Sequence, residues 1–447
     1  MYSIELGLIL IHLCIGVCCF VLPILIKPFV LLLTAIALAY TIQRRNQHHF
    51  VLLFCGYLVG ASVLLRTAGG LVFYEQVKYT VILFLVLGML FKPISTQSLW
   101  YIVYMLLLVP GVFVAAQTLE FDTDMRKEIA FNLSGPILLG ISAMYCIDRK
   151  ISLLQVRQLL FYTLLPILAT GVYLFLYAPD SSIVLSSTSS SFQTSGGFGP
   201  NQVSTILGLG SFICLTRFIL YSDTLKWKII NGILFIFLTY RGLITLSRGG
   251  IFTAAVMILL FMGILFYYVK PQIKRRLIRT FAVFGGILIL AFVYANIITN
   301  GFVQKRYNNE DVRGRAKGDI TTGRVAIAET DLEAFTEHPF LGVGVGRGKG
   351  LREEIYNTAV ASHNEVTRLL GEHGLFGLLA LLIIFILPLS RFLGGKKNIY
   401  LLSFFAFWFL TINHAAMRIA APGFIYGLSL LNITNEKNTV HRKQTGN

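Results

Sequence analysis

Long apolar runs separated by short polar segments follow one another along nearly the whole chain. A helix needs about 20 apolar residues to cross the hydrocarbon core of a bilayer. By this criterion the sequence predicts roughly fourteen spans, or twelve if the short pairs merge. The predicted spans are 4–22, 24–42, 50–66, 77–91, 99–116, 129–147, 159–177, 202–221, 229–246, 251–269, 280–298, 375–393, 399–416 and 419–431. We therefore expect an all-α fold, a polytopic transmembrane helix bundle of about 12–14 spans.

One long segment between late spans, 299–374, contains no span of its own. Connections of this length are either functional or disordered, and its pattern favours order. An apolar face recurs at helical spacing and ends near His338, with its members at Val325, Ala328, Leu332 and Phe335. Ser362 and Glu365 have the spacing of a capping box, which predicts a second helix with His363 as its first residue.

These patterns divide the chain into three parts. Residues 1–298 are predicted to form a bundle of about eleven spans. Residues 299–374 form a large, partly helical loop, and residues 375–447 supply the last spans and a tail.

The composition agrees with a membrane protein. The chain is 55% hydrophobic and only 13% charged, whereas a soluble domain is about 25% charged. The net charge of +17 does not indicate nucleic acid, because membrane proteins retain Lys and Arg on cytoplasmic loops that face anionic lipid. All six cysteines lie in apolar runs, which disfavours disulfide or redox chemistry. The first apolar run lacks a cleavage site and is predicted to be retained.

The basic residues of the short loops predict the orientation. They fall on one side of the predicted bundle, which the positive-inside rule makes cytoplasmic, together with both termini. These residues are Arg44, Arg45, Lys92, Arg149, Lys150, Arg157, Lys226, Lys228, Lys270, Lys274, Arg275, Arg276, Arg279, Lys396, Lys397, Lys437, Arg442 and Lys443. The opposite, periplasmic side then carries 117–128, 178–201, the turn at 247–250 and the long loop. The serine-rich tract 181–195 is expected to be a mobile outer loop.

Four stretches carry a resemblance to a known family: GFGPNQVSTIL at 197–207, LSRGGIF at 246–252, residues 322–346, and SHNEVTRLLGEHGLFG at 362–377. In combination they resemble the signature regions of the O-antigen ligase and polymerase family of membrane glycosyltransferases. The resemblance implies transfer of a glycan from an undecaprenyl-diphosphate carrier to an acceptor hydroxyl at the periplasmic face of a bacterial inner membrane. It implies no nucleotide sugar, no metal and no cofactor.

Arginines are the expected ligands of the carrier's diphosphate, because guanidinium groups stabilise charge that builds on a phosphate leaving group. Arg248 lies in a turn where a span reaches the periplasm, and Arg241 lies about two helical turns deeper in the same span. Arg324 opens the predicted amphipathic helix in the family's Gly-Arg position. Arg347 and Arg368 are weaker candidates. Most of the other basic residues of the loop, from Lys305 and Arg306 to Lys317, are expected to form a solvated face or to contact lipid headgroups.

His363 is the predicted general base. At a helix N-terminus its ring would stay neutral and able to take a proton from the attacking hydroxyl. The alternative is a histidine that only packs the loop against the bundle. Asn364 is expected to orient the ring or a sugar hydroxyl. For Asn201, helix capping is the default and substrate contact is implied by the family.

Two further motifs are weak. Asp122 and Asp124 form a short D-x-D pair, which offers too few oxygen ligands to favour a metal site. The alternating glycines at 342–350 lack the spacing and the context of a nucleotide loop. They indicate instead a tight path, free of side chains, that lets the backbone approach the membrane or a sugar.

The sequence leaves the acceptor open. The first choice is a ligase that attaches the glycan to lipid A core oligosaccharide, and an O-antigen or exopolysaccharide polymerase is the alternative. A protein O-glycosylating transferase or a peptidoglycan-type polymerase shares the same parts. A lipid-linked oligosaccharide flippase or other transporter is the competitor from another class, although no internal repeat supports it. Because no motif places a carboxylate nucleophile, direct displacement with inversion is expected.

Overall fold

A computed structural model of the protein describes residues 2–119, 124–178, 180, 185–319, 321, 323–357, 360–395 and 398–434. The described chain is almost entirely helical. Helices α1 to α8 are Tyr2–Val21, Ile26–Arg44, Phe50–Thr67, Gln76–Phe91, Leu99–Leu107, Val109–Thr118, Met125–Cys146 and Leu153–Tyr177. Helices α9 to α18 are Pro200–Leu220, Leu225–Ile244, Arg248–Tyr268, Pro271–Ile298, Phe302–Tyr307, Arg324–Glu337, Arg347–Tyr356, Glu365–Leu393, Leu401–Ile412 and Ala421–Ser429.

The membrane-spanning pattern is confirmed. Within the described ranges, eleven helical segments are long and apolar enough to cross a membrane, and α5 with α6 form one of them. Helices α4 and α17 are shorter apolar helices, and α18 has 9 residues. Together these account for the fourteen predicted segments. The protein is a multi-pass membrane protein with an all-α bundle fold.

The last two helices form a hairpin whose tip lies inside the bundle. Helices α17 and α18 extend only about 18 Å and 14 Å, less than the ~30 Å hydrocarbon core. After α18 the strand β2 (Asn432–Thr434) pairs in parallel with β1 (Lys150–Ser152), which the hydrophobic pattern did not predict. The hairpin tip, residues 413–420, is largely buried. It meets the same end of the bundle as the long loop, which we call the loop end.

The long loop is ordered, but two predictions about its helices are wrong. Helix α14 ends at Glu337 as expected, yet its buried residues are Thr330, Asp331 and Ala334. Val325 and Leu332 of the predicted apolar face are 51% and 42% exposed. The helix packs on α16 through polar contacts of Asp331, so apolar periodicity selected the wrong face.

The second error concerns the start of α16. The helix begins at Glu365, and its N-cap is Asn364, whose side chain accepts hydrogen bonds from the backbone N–H groups of Val366 and Thr367. Ser362 therefore does not form the predicted capping box, and His363 precedes the helix. Asn364 has the better cap geometry because its oxygen reaches two free N–H groups at once.

The glycine run approaches protein backbone rather than membrane or sugar. Val343 and Gly344 donate N–H bonds to the carbonyl oxygens of Gly371 and Glu372, at 2.9 and 3.1 Å. A Cβ on Gly342 would lie 2.4 Å from the Glu372 backbone carbon. The run therefore fixes the loop against α16, beside the kink at Gly374, where φ is +59°.

Candidate functional site

Two arginines from distant parts of the chain meet at the loop end. Arg248 is the first residue of α11, and its Nη1 lies 3.5 Å from the carbonyl oxygen of Arg306 in α13. Arg306 is 5% exposed. It donates from Nε to Leu246 O at 2.9 Å and from Nη2 to Ser190 Oγ at 3.3 Å. The expectation that Arg306 belongs to a solvated face is therefore wrong.

Arg324 adds a third guanidinium to this pair. It opens α14 after Gly323, whose φ of +82° brings the chain sharply into the helix. Burial and the charge of Arg248 lower the pKa of Arg324. Burial, Arg248 and Arg324 lower the pKa of Arg306 to about 10. In the described part of the chain, no carboxylate forms an ion pair with Arg306 or Arg324. We call Arg248, Arg306 and Arg324 the arginine cluster.

His363 lies within electrostatic range of this cluster. Its Nδ1 is buried and has no hydrogen-bond partner among the described residues. Burial and the charges of Arg418 and Arg324 lower the pKa of His363 to about 4. The ring is therefore neutral at pH 7, but a buried cationic environment is the cause and not the helix dipole that the sequence suggested.

A buried carboxylate holds the segment before His363 in place. Asp331 of α14 is 4% exposed and accepts hydrogen bonds from Arg352 at 2.6 Å, Ser362 at 2.9 Å and Thr367 at 2.9 Å. Arg352 also donates to Val360 O at 2.7 Å. Helices α14, α15 and α16 are thus joined at one point, which sets the position of the histidine.

The hairpin tip contributes two residues that the sequence analysis did not single out. Arg418 donates from Nη2 to Ser362 O at 3.0 Å, and Ala416 N donates to His363 O at 3.2 Å. The Nε2 of His414 lies 3.2 Å from Thr205 Oγ1. The sequence feature that could have indicated them is the presence of His414 and Arg418 where two short apolar runs meet.

Asn201 connects this tip to the arginine turn. It lies inside α9, where Gly199 is the N-cap, so the capping prediction is wrong. Its side chain accepts from Ser247 Oγ at 2.8 Å and donates to His414 O at 3.3 Å. Asn201 therefore fixes the residue that precedes Arg248.

Three other predicted arginines have partners of their own. Arg241 is 1% exposed and donates to Leu174 O at 2.7 Å. Arg347 pairs with Glu354 at 2.5 Å. Arg368 forms buried ion pairs with Glu365 and Glu372 and donates to Asn132 O at 3.0 Å. These contacts give each arginine a structural anchor.

The structure describes only one residue of the D-x-D pair. Asp122 lies outside the described residues, as do Lys396, Lys397 and the tail's basic residues. Asp124 caps α7 by accepting from Lys127 N at 3.2 Å. Among the described residues, no group of three His, Cys, Asp or Glu side chains could hold a metal ion.

The serine tract is folded against the site where the structure describes it. Ser191 N donates to Thr245 O at 2.9 Å, Thr194 donates to Ile244 O at 3.0 Å, and Thr188 donates to Glu310 O at 2.7 Å. The prediction of a mobile outer loop is therefore wrong for residues 185–195. These bonds support the turn that carries Arg248.

This arrangement combines an anion site with a neutral base. Guanidinium groups attract a polyanion such as a diphosphate, and Arg306 and Arg324 form no ion pair with a carboxylate of the described chain. A neutral imidazole whose Nδ1 has no hydrogen-bond partner among the described residues can accept a proton. Both lie at the loop end of the helix bundle.

Comparisons with known proteins agree with this chemistry. Residues 233–382 match the O-antigen ligase family. That range includes the arginine cluster and His363, while Asn201, His414 and Arg418 lie outside it. No curated protein and no solved structure matched the chain. The match supports an O-antigen ligase or polymerase type of function in general. Residues 233–382 therefore form a domain of the O-antigen ligase family, as the resemblance in the sequence predicted.

Proposed function

We propose that this protein is a membrane glycosyltransferase that moves a glycan from an undecaprenyl-diphosphate carrier to an acceptor hydroxyl. The acceptor we favour is lipid A core oligosaccharide, which makes the protein an O-antigen ligase. The observation that carries the proposal is the arginine cluster beside a neutral His363, within a domain of the matching family.

The arginine cluster suits the leaving group of this reaction. As the anomeric bond breaks, negative charge builds on the carrier's diphosphate, and preorganised donors in a partly dry site stabilise that charge. Arg306 is held by Leu246 and Ser190, so little reorganisation is needed when the diphosphate binds. Arg248 and Arg324 complete a site in which bidentate contacts to phosphate oxygens are possible.

His363 suits the nucleophile. Its pKa of about 4 keeps the imidazole unprotonated at neutral pH, and Nδ1 has no competing partner among the described residues. It would accept the proton of the acceptor hydroxyl as the oxygen attacks the anomeric carbon. Direct attack gives inversion, and the proposed reaction uses no metal.

The orientation we propose places the loop end in the periplasm and both termini in the cytoplasm of a bacterial inner membrane. The short loops at the other end carry the clustered basic residues, which the positive-inside rule assigns to the cytoplasm. Glycans on polyprenyl carriers would then reach the arginine cluster from the outer leaflet.

A transfer assay tests the proposal. The purified chain in detergent is given an undecaprenyl-diphosphate-linked glycan and, separately, lipid A core oligosaccharide or a second lipid-linked glycan as acceptor. We expect transfer to the core acceptor that persists in EDTA, with an inverted anomeric centre in the product. Transfer only to the lipid-linked glycan would replace the ligase assignment with a polymerase. No transfer to any acceptor would contradict the proposal and return attention to a transporter.

Two histidine variants sharpen this assay. His363→Ala should lower kcat by about 10²–10⁴-fold while donor binding is retained. The matched control is His338→Ala, since His338 is exposed at the end of α14 in the same loop. Equal activity of both variants would remove His363 from the mechanism.

A further inference from the structure

A polar cavity of about 480 Å³ lies at the end of the bundle opposite the loop end. Three connections form it: the turn between α2 and α3, the segment between α4 and α5, and the residues that follow α7. The lining residues are His49, Lys92, Pro93, Ile94, Ser95, Tyr145, Ile147, Asp148, Arg149 and Lys150.

The cavity carries an excess of positive charge. Lys92, Arg149 and Lys150 line it, and none of them forms an ion pair with a carboxylate of the described chain. The one acidic lining residue, Asp148, is already neutralised. Both of its oxygens accept from Arg391, at 2.5 and 2.9 Å, and Ser95 donates to it at 3.0 Å.

The cationic groups are also close together. Burial and the charge of Arg149 lower the pKa of Lys92, so the two cations share one space. The Nδ1 of His49 is buried without a hydrogen-bond partner among the described residues, which leaves a neutral donor or acceptor at the same cavity.

The walls are built around a fixed tyrosine. Arg149 donates from Nε to Tyr145 O at 2.6 Å, and its guanidinium carbon lies 3.9 Å from the centre of the Tyr145 ring. Asn46 is buried and donates to Tyr145 OH at 2.8 Å. This leaves the terminal amino groups of Arg149 without an acceptor in the part of the chain that is described. A solvated loop charge would have no such anchor.

The backbone beside this cavity is also constrained. His49 and Asp148 have φ values of +59° and +58°, a left-handed conformation that such residues seldom adopt outside constrained sites. These two turns come from separate parts of the chain and line the same cavity.

We propose that this cavity binds a phosphate group, carried by the headgroup of an anionic phospholipid or by a soluble phosphate compound. A tetrahedral anion would contact the free edge of the Arg149 guanidinium, the Lys92 ammonium and the imidazole of His49. The site is separate from the arginine cluster and does not depend on the proposed glycosyl transfer.

Binding measurements on the full chain in non-ionic detergent test this site. One arm titrates dihexanoyl phosphatidylglycerol, with the phosphatidylcholine of the same chain length as reference, and the other titrates inorganic phosphate. We expect saturable binding that weakens about fivefold for each charge removed in Lys92→Gln and Arg149→Gln. The matched control, Lys226→Gln with Arg276→Gln, removes two exposed charges elsewhere and should leave binding unchanged.

The outcomes separate the two sources of phosphate. Preference for phosphatidylglycerol over inorganic phosphate identifies a lipid headgroup, and binding of inorganic phosphate without that preference identifies a soluble ligand. The single variant Lys92→Gln leaves the contact of Arg149 with Tyr145 intact. Weaker binding in this variant therefore cannot be attributed to misfolding of the cavity wall. Equal weakening by the control pair, or no saturable binding in either arm, would overturn the proposal.

Discussion

The protonation state of His363 is decided by its surroundings rather than by its position in the sequence. Burial removes the hydration that stabilises an imidazolium, and Arg418 and Arg324 add repulsion. Arg324 and Arg418 lie far apart in the sequence, one before and one after the histidine. The sequence predicted a neutral ring from the helix dipole. That reason does not hold, because Asn364 and not Ser362 caps α16, so His363 lies before the helix.

This environment predicts an unusual pH profile. In the proposed mechanism the neutral imidazole is the active form, and it is lost only as pH falls through the pKa of about 4. We therefore expect kcat to be level between about pH 5.5 and pH 8, whereas an ordinary histidine would lose half its activity near its usual pKa of ~6.5. Arg418→Gln removes a neighbouring positive charge, so the pKa should rise and the acidic limb should move to higher pH. Steady-state rates across the pH range measure both effects, with Arg313→Gln on the exposed loop as the control. A limb that stays in place in Arg418→Gln would contradict this account.

The buried Arg306 should matter far more than its exposed neighbours in the same loop. Arg306→Ala removes a fixed donor from the arginine cluster and should reduce kcat/KM for the lipid-linked donor by about 10²–10³-fold. Arg306→Lys should restore only part of the lost kcat/KM, because an ammonium cannot form the bidentate contact of a guanidinium. The matched variant is Arg313→Ala, seven positions along the loop and exposed, which should remain near wild type. Equal losses in the two alanine variants would show a diffuse charge effect instead.

The location of candidate residues was predictable only where a local motif carried them. Arg248, Arg324 and His363 occur in the stretches that resemble the family, and all three lie at the loop end. Arg306 looks like any basic loop residue, and its burial depends on Leu246 and Ser190, which lie about 60 and 116 positions away. His414 and Arg418 were missed because nothing in a single sequence shows that a hairpin tip returns to the site.

At the level of elements, the position of Arg248 depends on how closely α11 packs on α9. Gly250 lies against the backbone of Ser204, where an added Cβ would come within 2.2 Å of the carbonyl carbon. Ser204 also donates to Ser247 O at 3.1 Å. The start of α11 is thus seated directly on α9, and this contact places the arginine turn beside the hairpin tip.

A pair of glycine variants tests this contact. Gly250→Ala forces the two helices apart, and overpacking of this kind costs about 1–3 kcal/mol. It should lower both thermal stability and transfer activity, because Arg248 moves with the start of the helix. Gly263→Ala lies in the same helix with nothing within 4 Å of its added Cβ and should be neutral or slightly stabilising. Thermal unfolding in detergent and the transfer assay give the two readouts, and identical behaviour of both variants would refute the argument.

The sequence predicted the boundaries of helices better than it predicted which face of a helix is buried. Helix α14 ends near His338 as predicted, but it buries Asp331 rather than its apolar stripe. The reason is that a loop helix above a membrane bundle packs on polar helix ends, and its partners Arg352, Ser362 and Thr367 come from three other segments. Hydrophobic periodicity contains no information about such contacts.

For the whole molecule, the bilayer explains why the spans were predictable. Every backbone polar group must be satisfied within a helix in hydrocarbon, so long apolar runs have one regular outcome. The short hairpin of α17 and α18 departs from that rule because the bundle surrounds its tip. The parallel pairing of β1 with β2 then fixes the C-terminal end of the hairpin at the face opposite the site. The arginine cluster and the proposed phosphate cavity consequently lie at opposite ends of the molecule.

The orientation of these two ends is the last testable consequence. If the loop end is periplasmic, Arg313→Cys should react with a membrane-impermeant maleimide in spheroplasts, because residue 313 is exposed on the long loop. Lys226→Cys lies exposed at the start of α10 and should react only after the membrane is permeabilised. The native cysteines give a low background, since Cys19, Cys55, Cys146 and Cys214 are buried and Cys14 and Cys18 lie on the apolar span α1, where a charged reagent does not enter. Labelling of residue 226 from the outside, with 313 protected, would place the arginine cluster in the cytoplasm. A glycan donor presented in the outer leaflet would then be out of its reach.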